Sequence, residues 1–315
     1  MRNISIYDAL IAGLGSIIKI ISIKNNIKNA GFIRNFHSYV LVRFGFLKSA
    51  RLKLKDNSTI KFTRDRLYEL MLKRNLFYLK RKYGTANAVK LGNFTKISFD
   101  GVAMLLSDLN QLGVIQENFI EEQYKVLNVK GRVVIDVGAN IGDTVVYFSK
   151  LRGAYKVIAF EPYPYSYALA KRNMAINQIK NAIVLNQGVG GRNKTITIPK
   201  GFENTAGSGL KKFKNGEKID IVTLRDIVKK YEVDRGILKM DCEGCEYKII
   251  LNSSTETLRH FEQIVVECHY GYLNIEKKLK EAGFKVRHTR VYYSHNISVK
   301  AENMIMNLVF AELLN

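Results

Sequence analysis

Residues 133–143 read VVIDVGANIGD. Val133–Val137 is a continuous apolar run of strand length that ends on a turn signal. Gly138 and Gly142 let the backbone turn tightly and approach a ligand with no Cβ in the way. From Ile141 to Leu151 the apolar spacing is helical. A buried strand, a glycine-rich turn and a helix predict the first βα unit of an open α/β sheet. In such sheets ligands bind beyond the carboxyl ends of the strands. Glycines so spaced also serve plain tight turns, so the loop alone decides no ligand.

Downstream the pattern repeats. Strands are predicted at Lys156–Phe160, Ala182–Leu185, Gly236–Met240 and Gln263–Glu267, and helices at Pro164–Gln178, Glu246–Leu251 and Ile275–Ala282. Strand alternating with helix means a mostly parallel sheet covered on both faces. Thr195–Ile198 and Lys218–Val222 read as a hairpin around a Gly/Lys-rich loop, Lys200–Gly216. Phe284–His288 and Met304–Ala311 are expected to close the chain as an antiparallel edge pair.

Upstream the chain reads differently. Residues 1–50 look helical, and RLKLKDNSTIKFT, 51–63, alternates about a turn at Asp56-Asn57-Ser58 in the manner of a β-hairpin. A basic helix is expected over 64–83, a short β region near Ala88–Met104, and a helix at Asn118–Leu127 leading into the main domain. The apolar run Ala9–Ile23 is interrupted by Lys19, Ser16 and two glycines, short of the roughly 20 apolar residues a bilayer span needs. It reads as a helix packed on the protein, with a surface-lying amphipathic helix as the alternative. No small-residue cleavage site follows it, so a secretory leader is not expected.

The 315 residues carry 47% hydrophobic side chains, enough for a full α/β core with a smaller unit added. Net charge is +22, and residues 1–100 hold 20 Lys/Arg against 5 Asp/Glu. A surface of that sign attracts nucleic acid, anionic membrane headgroups or phosphorylated substrates; solubility charge is the plain alternative. Three cysteines, Cys242, Cys245 and Cys268, are too few and too odd for a secreted disulfide scaffold.

Glu161 ends the second strand in AFEP, 25 residues after Asp136. That is close to the offset of about 20 at which an acid grips ribose hydroxyls in dinucleotide folds. A nicotinamide enzyme would carry Gly-x-Gly-x-x-Gly; here Gly138-Ala-Asn-Ile-Gly142 follows Asp136. An acid ahead of the glycines suits a pyrophosphate poorly. It suits the cationic methionine end of S-adenosylmethionine.

Four segments in order, VVIDVGANIGDTVVYFS, AFEPYPYSYALAKRNMAIN, LKMDCEGCEYKIIL and IVVECHY, resemble the FkbM-type methyltransferases. The resemblance spans about residues 110–311. It implies a Rossmann-like class I fold with a mostly parallel seven-stranded sheet and an antiparallel edge strand. The expected division is a basic α+β region over 1–109 and a catalytic domain over 110–315. It implies S-adenosylmethionine as cofactor and methylation of a hydroxyl on a sugar, glycoconjugate or related small molecule. Asp136, Gly138 and Gly142 would line the methionine and ribose portion of the cofactor, flanked by Asn140 and Asp143. Thr144 would cap the following helix, Glu161 would hold the ribose, and Gln187 and Gly188 would meet adenine. Asn177 reads as a structural cap.

The same resemblance puts Asp241 and Glu243 at the methyl-transfer site, as a general base, a hydroxyl-orienting pair or a hard-metal site. Glu246 is balanced between that site and a helix start. His269, two residues past Glu267, is expected as a neutral imidazole that takes the acceptor's proton. No resident metal is expected, and the Cys242/Cys245 pair is read against zinc, with a disulfide only under oxidising conditions. Lys211, Lys212 and Lys214, with Gly207 and Gly209, form either a closing loop or a solvated one. Two other functions stay in view: an RNA or DNA methyltransferase, favoured by the charge, and a non-catalytic module that keeps the fold. A cytoplasmic location is expected, with peripheral contact at the inner membrane face as the variant.

Overall fold

A computed structural model describes residues 29–198, 215–294 and 304–314. The run Ala9–Ile23 and the basic loop with Gly207, Gly209, Lys211, Lys212 and Lys214 lie outside the described residues. Two compact units divide at Gln123/Tyr124, against the 109/110 boundary read from the sequence.

In the first unit, β1 (Ala50–Lys53) and β2 (Thr59–Phe62) form the expected antiparallel hairpin. The Asp56 carboxylate accepts the Ser58 amide at 3.0 Å, and Asn57 adopts φ +67°. A short polar side chain tolerates that left-handed turn. Alternation sends Leu52, Ile60 and Phe62 into a cluster with Phe32, Tyr39 and Val42. Each such side chain contributes about 1.5–3 kcal/mol by burial. Helices Phe36–Phe44 and Leu67–Tyr83 follow the predicted pattern, and β3 (Asn87–Leu91), β4 (Phe94–Phe99) and β5 (Val102–Leu106) make an antiparallel meander.

The helix expected at Asn118–Leu127 sits earlier. Leu112–Ile115 is helical and continues as a π turn through Gln116–Ile120, with turns beyond. Leu112, Ile115 and Phe119 recur at three and four and are all buried. Asn75 donates to the Leu112 carbonyl at 2.9 Å, and buried Arg74 donates to the Gln116 side chain. Those bonds hold this segment on helix 67–83, which is why the boundary follows it.

In the second unit, β6 (Val133–Val137), β7 (Lys156–Phe160), β8 (Ala182–Leu185), β12 (Gly236–Met240), β13 (Phe261–Cys268), β14 (Phe284–His288) and β16 (Met304–Leu313) form the main sheet. Its order is β14-β16-β13-β12-β6-β7-β8. β12, β13, β6, β7 and β8 pair in parallel, whereas β16 runs antiparallel between β13 and β14 and also pairs the short β15 (Tyr292–Ser294). β9 (Gly188–Val189), β10 (Lys194–Ile198) and β11 (Glu217–Val222) make a small side sheet containing the predicted hairpin. All five residues of β12 are buried. That is the mark of a strand covered on both faces.

From β6 the chain builds outward through β7 and β8, then returns to the other side of β6 with β12 and β13. The order therefore reverses between β6 and β12, the place where an open α/β sheet parts to admit a ligand. Among the described residues no helix is long and apolar enough to cross a membrane.

Candidate active site

A cleft opens at this reversal, with Gly138, Asn140, Glu161, Gly188, Asp241 and Glu243 in its wall. The Gly138 amide donates to the Phe160 carbonyl at 3.0 Å, and the Asp241 amide donates to the Val137 carbonyl at 3.0 Å. These bonds draw the glycine loop against the tip of β12. Gly138 has φ +86°, and a Cβ there would stand 1.9 Å from the Asp241 carbonyl oxygen. Gly138→Ala is therefore expected to destabilise the domain by about 2–5 kcal/mol, combining left-handed strain with a backbone clash. Urea denaturation measures it, and a loss below 1 kcal/mol, within the usual range for surface changes, contradicts this reading. Gly142 answers a different need. Its φ is +80°, and a Cβ would meet Ala170 of helix 164–176 at 3.0 Å.

Asp136 does not face the cleft. It is fully buried, its carboxylate lies 2.9 Å from the Lys239 ammonium, and it accepts the Thr144 hydroxyl. Thr144 is thus bound to Asp136 and caps nothing, which corrects its expected role. Lys239 also donates to the Gly138 carbonyl at 2.7 Å. Burial pushes the Lys239 pKa down, but Asp136 and Asp241 outweigh it and hold it above the ordinary lysine value. Asp143 sits in the first turn of helix 143–146, buried, with its pKa pushed up to about 7 chiefly by desolvation. Asp136, Asp143 and Gly142 build the loop from behind. Gln187 is outside the cleft wall, while Gly188 is in it.

Glu161 is 1% exposed. One carboxylate oxygen accepts the Asn140 amide at 2.8 Å and the other accepts the Tyr163 amide at 2.9 Å. Each oxygen keeps a lone pair for a hydroxyl donor. Burial is the main reason its pKa is pushed up to about 8. Asn140 has φ +47°, a conformation Asn reaches more readily than most residues. Asn177 donates to the Asn173 carbonyl at 2.7 Å at the end of helix 164–176, the structural role expected of it.

Beside the cleft, His269 Nε2 lies 3.4 Å from Glu243 and 3.8 Å from Asp241. Its Nδ1 lies 3.2 Å from Glu246 without hydrogen-bond alignment. Burial alone would lower this imidazole. Glu246 first, then Glu243 and Asp241, outweigh it and bring the pKa up to about 10. That direction favours the protonated ring over the neutral imidazole base expected from the sequence. Glu246 is fully buried, accepts the Cys242 amide at 2.8 Å and opens helix 246–252. It takes the helix-start role left open for it and stands behind His269, outside the cleft wall. Glu267 lies in β13, opposite Leu308, and is not part of the Asp241, Glu243, His269 group. Cys242 and Cys245 form a disulfide in the cleft wall, so they offer no zinc thiolates.

Several residues escaped the sequence reading. Lys239 pairs with Asp136 in register across β12 and β6, and a lone cation inside the apolar run GILKM was its signal. Asn186 donates to the Glu161 and Pro162 carbonyls at 2.9 and 3.1 Å, fixing the loop after β7. The Tyr247 hydroxyl donates to the Gly271 carbonyl at 2.6 Å and accepts the Tyr270 amide at 2.8 Å, anchoring the loop beyond His269. Neither had a signal in spacing.

The family profile described as "Methyltransferase FkbM domain" matches residues 136–286, which hold the loop, Glu161, the acidic tip and His269. This part of the chain is an FkbM methyltransferase domain. The methyltransferase sdnD of Sordaria araneosa is 23% identical over 228 residues, 60% of this chain and 88% of that protein. The FkbM methyltransferase structure from Methylobacillus flagellatus is 14% identical, with a TM-score of 0.40, covering 64% of this chain and 54% of the other. The TYW2 structure from M. jannaschii, in complex with AdoMet, is 17% identical, with a TM-score of 0.39, covering 72% and 89%. Strand order, not these two likenesses, defines the fold.

An FkbM domain is an S-adenosylmethionine-dependent methyltransferase, and its cleft suits that cofactor. The buried carboxylate of Glu161 keeps lone pairs for a ribose diol, and the left-handed turns at Gly138 and Asn140 leave backbone groups at the wall. When bound, the cofactor supplies a methyl group on a sulfonium. Glu161, Asp241 and Glu243 stand together in the wall of that cleft.

Proposed function

We propose that this methyltransferase places a methyl group on an alcohol oxygen of a sugar, glycoconjugate or related small molecule. One observation carries the reading: two partly exposed carboxylates, Asp241 and Glu243, stand at the cleft wall beside a buried histidine. An alcohol must lose its proton as its oxygen attacks the methyl carbon, and a carboxylate within reach accepts it. The displacement is in-line, so alignment of the hydroxyl dominates the rate. The imidazolium of His269 then positions the two acids and is not the base. In this reading Gly138, Asn140, Glu161 and Gly188 touch the cofactor, and Asp136, Gly142 and Asp143 support them.

The charge favours a second reading, an RNA acceptor, because phosphate contacts dominate nucleic-acid binding. One experiment separates the two. The full chain is given methyl-labelled S-adenosylmethionine together with a glycan and glycoside fraction and, separately, total RNA. Label in an alkali-stable methyl ether of the glycan fraction is expected. Label in RNA, with binding that falls steeply with salt, contradicts the sugar reading.

A further inference from the structure

Asp241, Glu243 and His269 each offer one ligand atom, and the three atoms lie within 4.8 Å of one another. We propose that this triad binds one divalent cation of the Mn²⁺ class, leaving positions open for two adjacent oxygens of the acceptor. The inference rests on the hydroxyl-methylation reading and narrows it to acceptors such as vicinal diols.

Two neighbouring acids are common without any ion. The histidine is the observation that points to a ligand. It is 1% exposed, and the ring nitrogen that faces the cluster, Nε2, meets only Glu243 at 3.4 Å and Asp241 at 3.8 Å. Ligands at right angles around a cation with bonds of about 2.1 Å stand about 3 Å apart. The present spacings of 3.4 and 3.8 Å, within a triad no wider than 4.8 Å, are longer than that and must shorten as the side chains turn onto the cation. On the far side of the ring, Nδ1 faces Glu246 at 3.2 Å. A carboxylate behind a histidine is how ligating imidazoles are held in orientation, and Glu246 stands at that distance without being aligned as a hydrogen bond here. Glu246 is itself fixed by the Cys242 amide at 2.8 Å and is fully buried.

One nitrogen and two carboxylate oxygens form a mixed set. Imidazole favours transition metals and carboxylates favour hard ions, which together select Mn²⁺ or Fe²⁺ over Mg²⁺ or Ca²⁺. With the cation present the ring is neutral and the dication carries the charge that a ring proton supplies without it. Two vicinal oxygens would close a five-membered chelate at the open positions. The cation polarises the coordinated hydroxyl, whose proton passes to the free oxygen of the Asp241 or Glu243 carboxylate and from there to water. The hydroxyl oxygen's electron pair forms the bond to the methyl carbon, and the carbon–sulfur pair returns to sulfur. The products are a methyl ether, S-adenosylhomocysteine and one proton.

The test uses the full chain with S-adenosylmethionine and MnCl₂, following free Mn²⁺ by its electron paramagnetic resonance signal. Cofactor affinity is measured by calorimetry on the same samples. One saturable Mn²⁺ site per chain is expected. Glu243→Gln and Asp241→Asn should each weaken it at least tenfold, and Glu246→Gln about 10–100-fold, as for other residues behind a metal ligand. Chelator-stripped enzyme should lose methyl transfer and regain it with Mn²⁺. Cofactor binding without a saturable Mn²⁺ site overturns the cation and leaves the methyltransferase reading standing. Absent cofactor binding overturns both. A folded Glu243→Gln that binds Mn²⁺ as the parent does overturns the ligand assignment.

Discussion

Asp136→Ala is expected to remove about 3–5 kcal/mol from the stability of the catalytic domain, the loss typical when one partner of a buried ion pair is deleted. Lys239 would keep its charge in a fully buried position with only the Gly138 carbonyl at hydrogen-bond distance. The same loop carries the cleft, so cofactor binding should fall with it. Asp136→Ala combined with Lys239→Met should recover part of the stability, because the uncompensated charge is gone. Urea denaturation of the single and double variants measures this. Losses that add, with no recovery in the double variant, would show that the pair is not coupled.

Glu161→Gln is expected to weaken S-adenosylmethionine binding by about 100-fold or more. Each hydrogen bond to a charged acceptor contributes about 1.5–3 kcal/mol, and a ribose diol makes two. An amide keeps the shape, but loses the charge and one acceptor oxygen. The pH dependence follows from the raised pKa. Burial holds Glu161 near 8, so the ionised form that accepts both hydroxyls prevails only above that pH. Affinity of the parent should fall as pH drops through 8, by up to about tenfold per unit. Asp143 titrates near 7 behind the same loop, so Glu161→Gln supplies the comparison. Calorimetry from pH 6 to 9 reads both curves. A parallel pH dependence in parent and variant would remove Glu161 from the effect.

Much of the fold is written in short-range pattern. Val133–Val137, Lys156–Phe160, Ala182–Leu185, Gly236–Met240 and Phe284–His288 are continuous apolar or alternating runs bounded by turn residues, and each strand falls where the pattern puts it. Helix 112–120 lies earlier than its local pattern because Arg74 and Asn75, far away in sequence, decide where it docks. The helix after Gly142 starts at Asp143 rather than Ile141 because Gly142 takes a left-handed turn against Ala170.

The site was legible in composition and opaque in electrostatics. Glu161, Asp241 and Glu243 stand at strand ends, and strand ends line the cleft. Asp136 stands at a similar place in sequence yet turns inward, because Lys239 is its register partner on β12. His269 was expected neutral because an isolated imidazole titrates near neutrality. Three carboxylates, two from the loop after β12 and one from the first position of the following helix, surround it, and that convergence needs the third dimension.

The central claim is that the reversal between β6 and β12 holds S-adenosylmethionine, with its ribose on Glu161. Calorimetric titration of the cofactor into the full chain at pH 8.5 tests it, a pH chosen to lie above the Glu161 value of about 8. One saturable site per chain is expected, lost or weakened about 100-fold in Glu161→Gln, the cost of two hydrogen bonds to a charged acceptor. No heat of binding from the parent at cofactor concentrations on the order of 1 mM, an affinity floor near 4 kcal/mol, would contradict it.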